Sequence, residues 1–285
     1  MTQQSADSSY YYVPQPSRWP ITGACALLIS LVGAAAWINR VAAGPYMLAA
    51  GAALLVYMLF GWFGAVIRES EAGLYNKQVD RSYRWAMGWF IFSETIFFGA
   101  FFGALFYIRW HAVPDLASGD TSGLWPGFKG GWPTMGPGIA GPLTPMRATG
   151  VPLINTLILL TSAGTLLWAH RGLQKGNRRQ LTLGLFATVA LGVVFLGLQF
   201  GEHYRAYTQS GLTLGSGAYG ATFFMLTGFH GLHVAIGATI LSVILWRSLR
   251  GDFTRDNQFA FQAASWYWQF VDVIWLLMYV LVYWL

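Results

Sequence analysis

Glu94 stands near the middle of Trp85–Ile108, WAMGWFIFSETIFFGAFFGALFYI, a stretch of the length that crosses a bilayer as a helix. Its neighbours one turn away include Phe90, Ile91, Phe97 and Phe98, so no side chain of this stretch neutralises it. An ionisable group at that depth costs a few kcal/mol or more, and it faces a partner, a cavity or a function. His230 and His233, in FFMLTGFHGLHVAIG, are also mid-span and share one helical face with Leu226 and Gly237. An i, i+3 imidazole pair is a candidate metal or haem ligand set. The plain alternative is hydrogen bonding to neighbouring helices or to Glu94. Glu94 itself has two readings: a structural acid, protonated or paired with His230 or His233, or a residue that tunes proton movement. A second intramembrane acid, Asp272 in WYWQFVDVIWLLMYV, shares its face with Gln269 and Trp275, whose N–H groups could satisfy it in a structural role. Glu202 and His203 close a further apolar run, where a solvated pair is expected.

Composition supplies the setting. Of 285 residues, 55% are hydrophobic and only 10% charged, with 34 Gly and 14 Trp. Soluble domains carry roughly 25% charged residues, so the chain reads as an integral membrane protein. Its long apolar runs exclude a membrane β-barrel, which would show short alternating segments. The net charge of +6 sits in short loops between the runs and is explained by topology, not by nucleic acid. The single cysteine, Cys25, excludes an internal disulfide and any site built on paired thiolates. With only two mid-membrane histidines, no site for redox metals is expected in this chain. The opening MTQQSADSSYYYVPQPSRWP has no apolar core and one Arg, which is unlike a secretory signal or a transit peptide.

Seven spans are marked, Ile21–Ile38, Pro45–Ile67, Trp85–Ile108, Val151–His170, Leu181–Gly201, Gly220–Trp246 and Ala263–Leu285, giving an all-α polytopic fold. Placing the N-terminus inside puts twelve of the 17 Lys and Arg, Arg255 among them, on the inner face. The positive-inside rule then predicts a cytoplasmic N-terminus and an outer C-terminus. The organisation reads as an N-terminal segment over 1–20, a two-helix unit over 21–67, a connecting loop over 68–84 and a five-helix unit over 85–285. Within the last lies an outer loop, 110–150, whose nine Gly and six Pro suit ordered but irregular chain. Gly99 and Gly103 in GAFFG would permit close helix approach. Arg68, Glu69, Arg247 and Arg250 gather at the inner ends of two spans, where basic groups either attract lipid head groups or simply set topology. Trp62, Trp85, Tyr283 and Trp284 fit interfacial aromatic belts.

Taken together, SRWPITGA, VIRES, FIFSETIFF, VPLINTLILLTS, WAH, TFFMLTGFHGLHV and WYWQFVDVIWLLMYV resemble subunit III of the haem–copper cytochrome c oxidases, nearly end to end. The resemblance implies seven helices in groups of two and five, divided by a V-shaped cleft that holds phospholipid. It implies no haem or copper in this chain, both belonging to partner subunits. It implies packing against subunit I, with subunit II and a small fourth subunit in the complex and cytochrome c as the substrate of the whole. The role implied is non-catalytic: sustaining proton uptake by subunit I and protecting it during turnover. Glu94 matches the family's intramembrane glutamate, and Arg68, Glu69, Arg247 and Arg250 match positions near lipid head groups. Where the family usually has a Trp pair, this chain has Trp62 followed by Phe63, a departure within the lipid-facing set. The length of the Gly/Pro-rich loop, with the missing transit peptide, points to a bacterial inner membrane and a periplasmic C-terminus. Two other readings stand beside this one: the equivalent subunit of a quinol oxidase or nitric oxide reductase, whose members often lack the first two spans, and a free-standing proton or ion transporter. Inverted repeats, which would favour the transporter, are not found.

Overall fold

A computed structural model describes residues 11–118, 123–139, 144–253 and 258–284. The first ten residues, Arg255 of the topology count, parts of the outer loop (119–122 and 140–143) and Leu285 lie outside the described residues. Everything described is helix, turn or irregular chain. The helices are α1 (Trp19–Ile38), α2 (Gly44–Glu71), α3 (Lys77–Tyr107), a short α4 (Val113–Ala117), α5 (Val151–Lys175), α6 (Arg178–Thr208), α7 (Gly217–Arg250) and α8 (Phe259–Met278). Seven of them are long and apolar enough to cross a membrane, with α3 running on into α4 and α8 running on to Trp284.

Most helices outrun the apolar windows by a turn or more. Backbone hydrogen bonding continues into polar residues at the interface until a local signal stops it. α5 ends at Gly176 in the left-handed conformation, and Asn177 then caps α6 by accepting a hydrogen bond from Gln180 N. Of the expected connecting loop 68–84, only 72–76 is non-helical. The outer loop is shorter than expected for the same reason: α3 passes through a π-helical turn, Ile108–Ala112, into α4 before the chain turns irregular.

The chain packs as two compact units, the first ending at Trp85 and the second beginning at Ala86, within α3. In the first, α1 and α2 form an antiparallel hairpin along a seam of small residues. A Cβ on Gly33 would run into the backbone of Leu48, and one on Gly51 into Ser30. Gly44, Gly51 and Met58, seven apart, are the buried residues of α2. This is the close approach that glycine makes possible. Gly99 and Gly103, by contrast, meet no neighbour among the described residues, where a Cβ at either would stand in open space.

The second unit is built around α8. The Trp268 indole donates to Ser162 Oγ on α5 at 2.9 Å, and the Trp275 indole donates to Thr156 Oγ1 at 3.0 Å. Both rings are fully buried, and the Trp268 ring lies in hollows left by Gly192 on α6 and Gly237 on α7. A large ring opposite a missing side chain fills the space without a void.

Candidate functional site

Glu94 and His233 meet. His233 Nε2 lies 2.9 Å from Glu94 Oε2, and its Nδ1 lies 2.6 Å from the carbonyl oxygen of Phe229, one turn back on α7. A carbonyl only accepts, so Nδ1 carries a proton and donates to it. Two protonation patterns then satisfy the Glu94 contact. In one, a protonated Glu94 donates to neutral Nε2. In the other, an imidazolium donates to the carboxylate. Each places one proton in that bond and leaves the pair neutral overall.

The surroundings are aromatic. Phe97, Phe98 and Phe229 pack about the pair, with the Phe98 and His233 ring centres 5.0 Å apart. Tyr267 Oη reaches toward the His233 carbonyl oxygen at 3.4 Å. The His233 side chain is 11% exposed and that of Glu94 is 21% exposed, so the acid reaches the surface of its unit while the imidazole sits behind it. A salt bridge or shared-proton bond in such a setting is screened far less than one in water.

His230 does not join them. Its Nε2 donates to the Val271 carbonyl oxygen on α8 at 3.2 Å, which leaves the buried Nδ1 without a hydrogen-bond partner among the described residues. The two histidines share a face yet turn to different helices, so the pair forms no common ligand set. Among the described residues no group of three His, Cys, Asp or Glu side chains is placed to hold a metal.

Asp272 departs from expectation. Trp275 is committed to Thr156, and neither carboxyl oxygen of the buried Asp272 has a hydrogen-bond partner among the described residues. Glu202 and His203 are a second departure, since neither is solvated as a pair. Glu202 is buried and accepts from Tyr283 Oη at 3.0 Å, while His203 bonds the Gln199 carbonyl and Thr227 Oγ1. Gln199 is also joined to Asn155 at 3.0 Å, making a buried polar cluster at this end of the unit. The signal for it was present in α6, where Gln199, Glu202 and His203 fall on one face at helical spacing.

The basic group divides as well. Arg247 is buried, pairs with Asp252 at 3.3 Å and lies over the Phe253 ring, whereas Arg250 is exposed and stacks on Trp246 with 3.6 Å to the ring centre. Arg247 therefore braces the end of α7, and Arg250 is the group presented to the surroundings. In the first unit, Arg68 and Trp62 are exposed, Trp62 stacking on Phe63, and Glu69 accepts from Tyr75 Oη at 2.8 Å. Burial lifts the Tyr75 hydroxyl above its ordinary pKa, with its hydrogen bonds to Tyr83 and Glu69 adding to the shift.

Comparison with known proteins bears on the chain as a whole. A family model described as cytochrome c oxidase subunit III matches residues 9–285. The cytochrome c oxidase subunit 3 of Latimeria chalumnae is 42% identical over 275 residues, covering 96% of each chain. That of Equus caballus is 40% identical over 275 residues, and that of Neotragus moschatus 41% over 277, each again covering 96% of both chains. With seven apolar helices and a family match over nearly its whole length, the chain belongs to the cytochrome c oxidase subunit III family.

Proposed function

We propose that the chain is the non-catalytic subunit III of a proton-pumping, aa-type cytochrome c oxidase. Haem and copper chemistry belongs to the partner subunits, and this chain stabilises subunit I and sustains its proton uptake. Subunit II and a small fourth subunit complete the complex. The observation that carries this reading is the Glu94–His233 bond, one shared proton in an aromatic setting with the acid partly open at the surface of its unit. A pair that stays neutral in either pattern relocates a proton over a short distance without creating net charge in the apolar interior. Together with family membership, this supports a role beside a proton pathway.

The same reading gives the chain bound phospholipid, with Trp62, Arg68 and Arg250 as head-group contacts. Arg250 and Arg68 are supported by their exposure. It also places the chain in a bacterial inner membrane, N-terminus cytoplasmic and C-terminus periplasmic. The asymmetry of Lys and Arg supports the orientation, and the Gly/Pro-rich outer loop supports the bacterial setting.

The test is Glu94→Gln in the purified complex. Glutamine keeps the volume but cannot carry the shared proton as an acid. The expected result is normal assembly with slower proton uptake or earlier inactivation during turnover. Turnover, proton uptake and inactivation kinetics identical to wild type would refute the proton-related role.

A further inference from the structure

A cavity of about 380 Å³ lies at the end of the second unit that carries the N-termini of α5 and α7 and the C-terminal end of the α8 helix. Its size falls within the range of small-molecule sites, about 300–1,000 Å³. Four aromatic rings line it, those of Trp132, Tyr219, Tyr283 and Trp284, together with Arg147 and Thr149. Among the described residues no acidic side chain lines it. Its walls are held by backbone and side-chain bonds. The outer segment is tied to the first turn of α7 by Ala218 N to the Met135 oxygen and Tyr219 N to the Thr134 oxygen, both 3.0 Å. Met146 N donates to Tyr219 Oη at 3.1 Å, and Tyr283 is held from behind by Glu202. A Cβ on Gly217 would collide with Met135, so this join needs glycine.

Two complementary chemistries converge in this cavity. Arg147 is exposed and takes part in no ion pair among the described residues. Guanidinium is the side chain best suited to grip a phosphate oxygen pair. Thr149 stands just before α5 and Tyr219 in the first turn of α7, so the starts of both helices border the cavity. The Ala218 and Tyr219 N–H groups are already bonded to the outer segment, which leaves the α5 end as the helix terminus available to an anion. Around them, a set of aromatic rings is the environment that attracts an organic ammonium group. The cavity also lies at the level where the spans end, with Trp284 61% exposed, as interfacial tryptophans are.

We propose that this cavity is a binding site for the head group of a zwitterionic, ammonium-bearing phospholipid. The phosphodiester sits on Arg147 beside the start of α5, and the ammonium sits against the rings of Trp132, Tyr219 and Trp284. This site is formed wholly within the second unit. It requires only that the chain spans a bilayer, so it stands or falls apart from the role of Glu94.

The test uses the intact purified complex, stripped of loosely held lipid and titrated with dioleoylphosphatidylethanolamine under native mass spectrometry. Arg147→Gln and Trp284→Leu should each bind one fewer lipid, or bind it about tenfold more weakly, with the haem spectrum unchanged. Arg147→Lys should fall between, keeping the charge but losing the fork. With dioleoylphosphatidylglycerol, which has the phosphodiester but no ammonium, Arg147→Gln should still weaken binding while Trp284→Leu should leave it at the wild-type level. Equal phosphatidylethanolamine uptake by wild type and both variants overturns the proposal. Displacement by millimolar inorganic phosphate also overturns it, in favour of a free-anion site. A loss of phosphatidylglycerol on Trp284→Leu equal to that of phosphatidylethanolamine overturns the ammonium assignment.

Discussion

The two units hold their helices together by opposite means. In the first, α1 and α2 approach through glycine until backbone meets backbone, and only 17% and 11% of their apolar stretches are buried. In the second, α5 to α8 bury 33% to 44% and are pinned by tryptophan indoles reaching hydroxyl groups across the bundle. Lipid tails are as apolar as leucine, so hydrophobicity alone does not draw spans together. Close van der Waals contact or interhelical hydrogen bonds must do so. A two-helix hairpin has only one seam and uses the first. A multi-helix bundle has an interior and can use both. α3 is buried as little as α2, with 11% of its span covered, and among the described residues its attachment to the second unit rests on phenylalanines and the Glu94–His233 bond.

The contrast can be broken most sharply at Trp268. Trp268→Ala removes a buried ring from the hollows of Gly192 and Gly237 and strands Ser162, with an expected loss of about 3–5 kcal/mol. The chain should be depleted from the purified complex, and the midpoint of thermal dissociation should fall. Retention at wild-type level would mean that the second unit is not organised around α8. A smaller loss, about 1–3 kcal/mol, is expected for Gly33→Leu, which forces α1 off the Leu48 backbone. Limited proteolysis of the Asn39–Ala43 turn should become faster, while the second unit stays intact. An unchanged cleavage rate would show that the seam tolerates side chains. The least effect is expected for Asp272→Asn, below about 1 kcal/mol, since no hydrogen bond to either oxygen is lost among the described residues. A large drop in thermal stability would reveal a partner for Asp272 outside this chain.

How much of this was readable beforehand depends on the range over which each feature is decided. The seven spans were legible because apolar length is local and a helix satisfies its own backbone within four residues. Their ends were less so, since caps such as Asn177 lie in polar sequence outside any apolar window. Glu94 was legible as an outlier, and its pairing with one of two histidines was foreseen as one possibility. Which histidine it meets depends on how α7 is rotated against α3 and α8. Glu202 was misread as solvated because the residue that covers it, Tyr283, lies 81 positions away. The small-residue spacing of Gly99 and Gly103 in α3 suggests a seam, but the seam operates at Gly33 and Gly51, because a glycine becomes a contact only when a second backbone arrives.

By itself, then, the sequence determined that this chain crosses a membrane seven times, that Glu94 is out of place in its span, and which motifs carry the family. These follow from local hydrophobicity and from residue identity along one segment. Only the tertiary structure decided that His233 and not His230 takes Glu94, that Trp275 turns to Thr156 while Asp272 has no hydrogen-bond partner among the described residues, and that four aromatic rings and Arg147 close around one cavity. Those pairings join residues up to 139 positions apart, and a directional hydrogen bond of about 3 Å depends on the rotation and depth of each helix. That rotation is set by packing across the bundle, which no single segment contains.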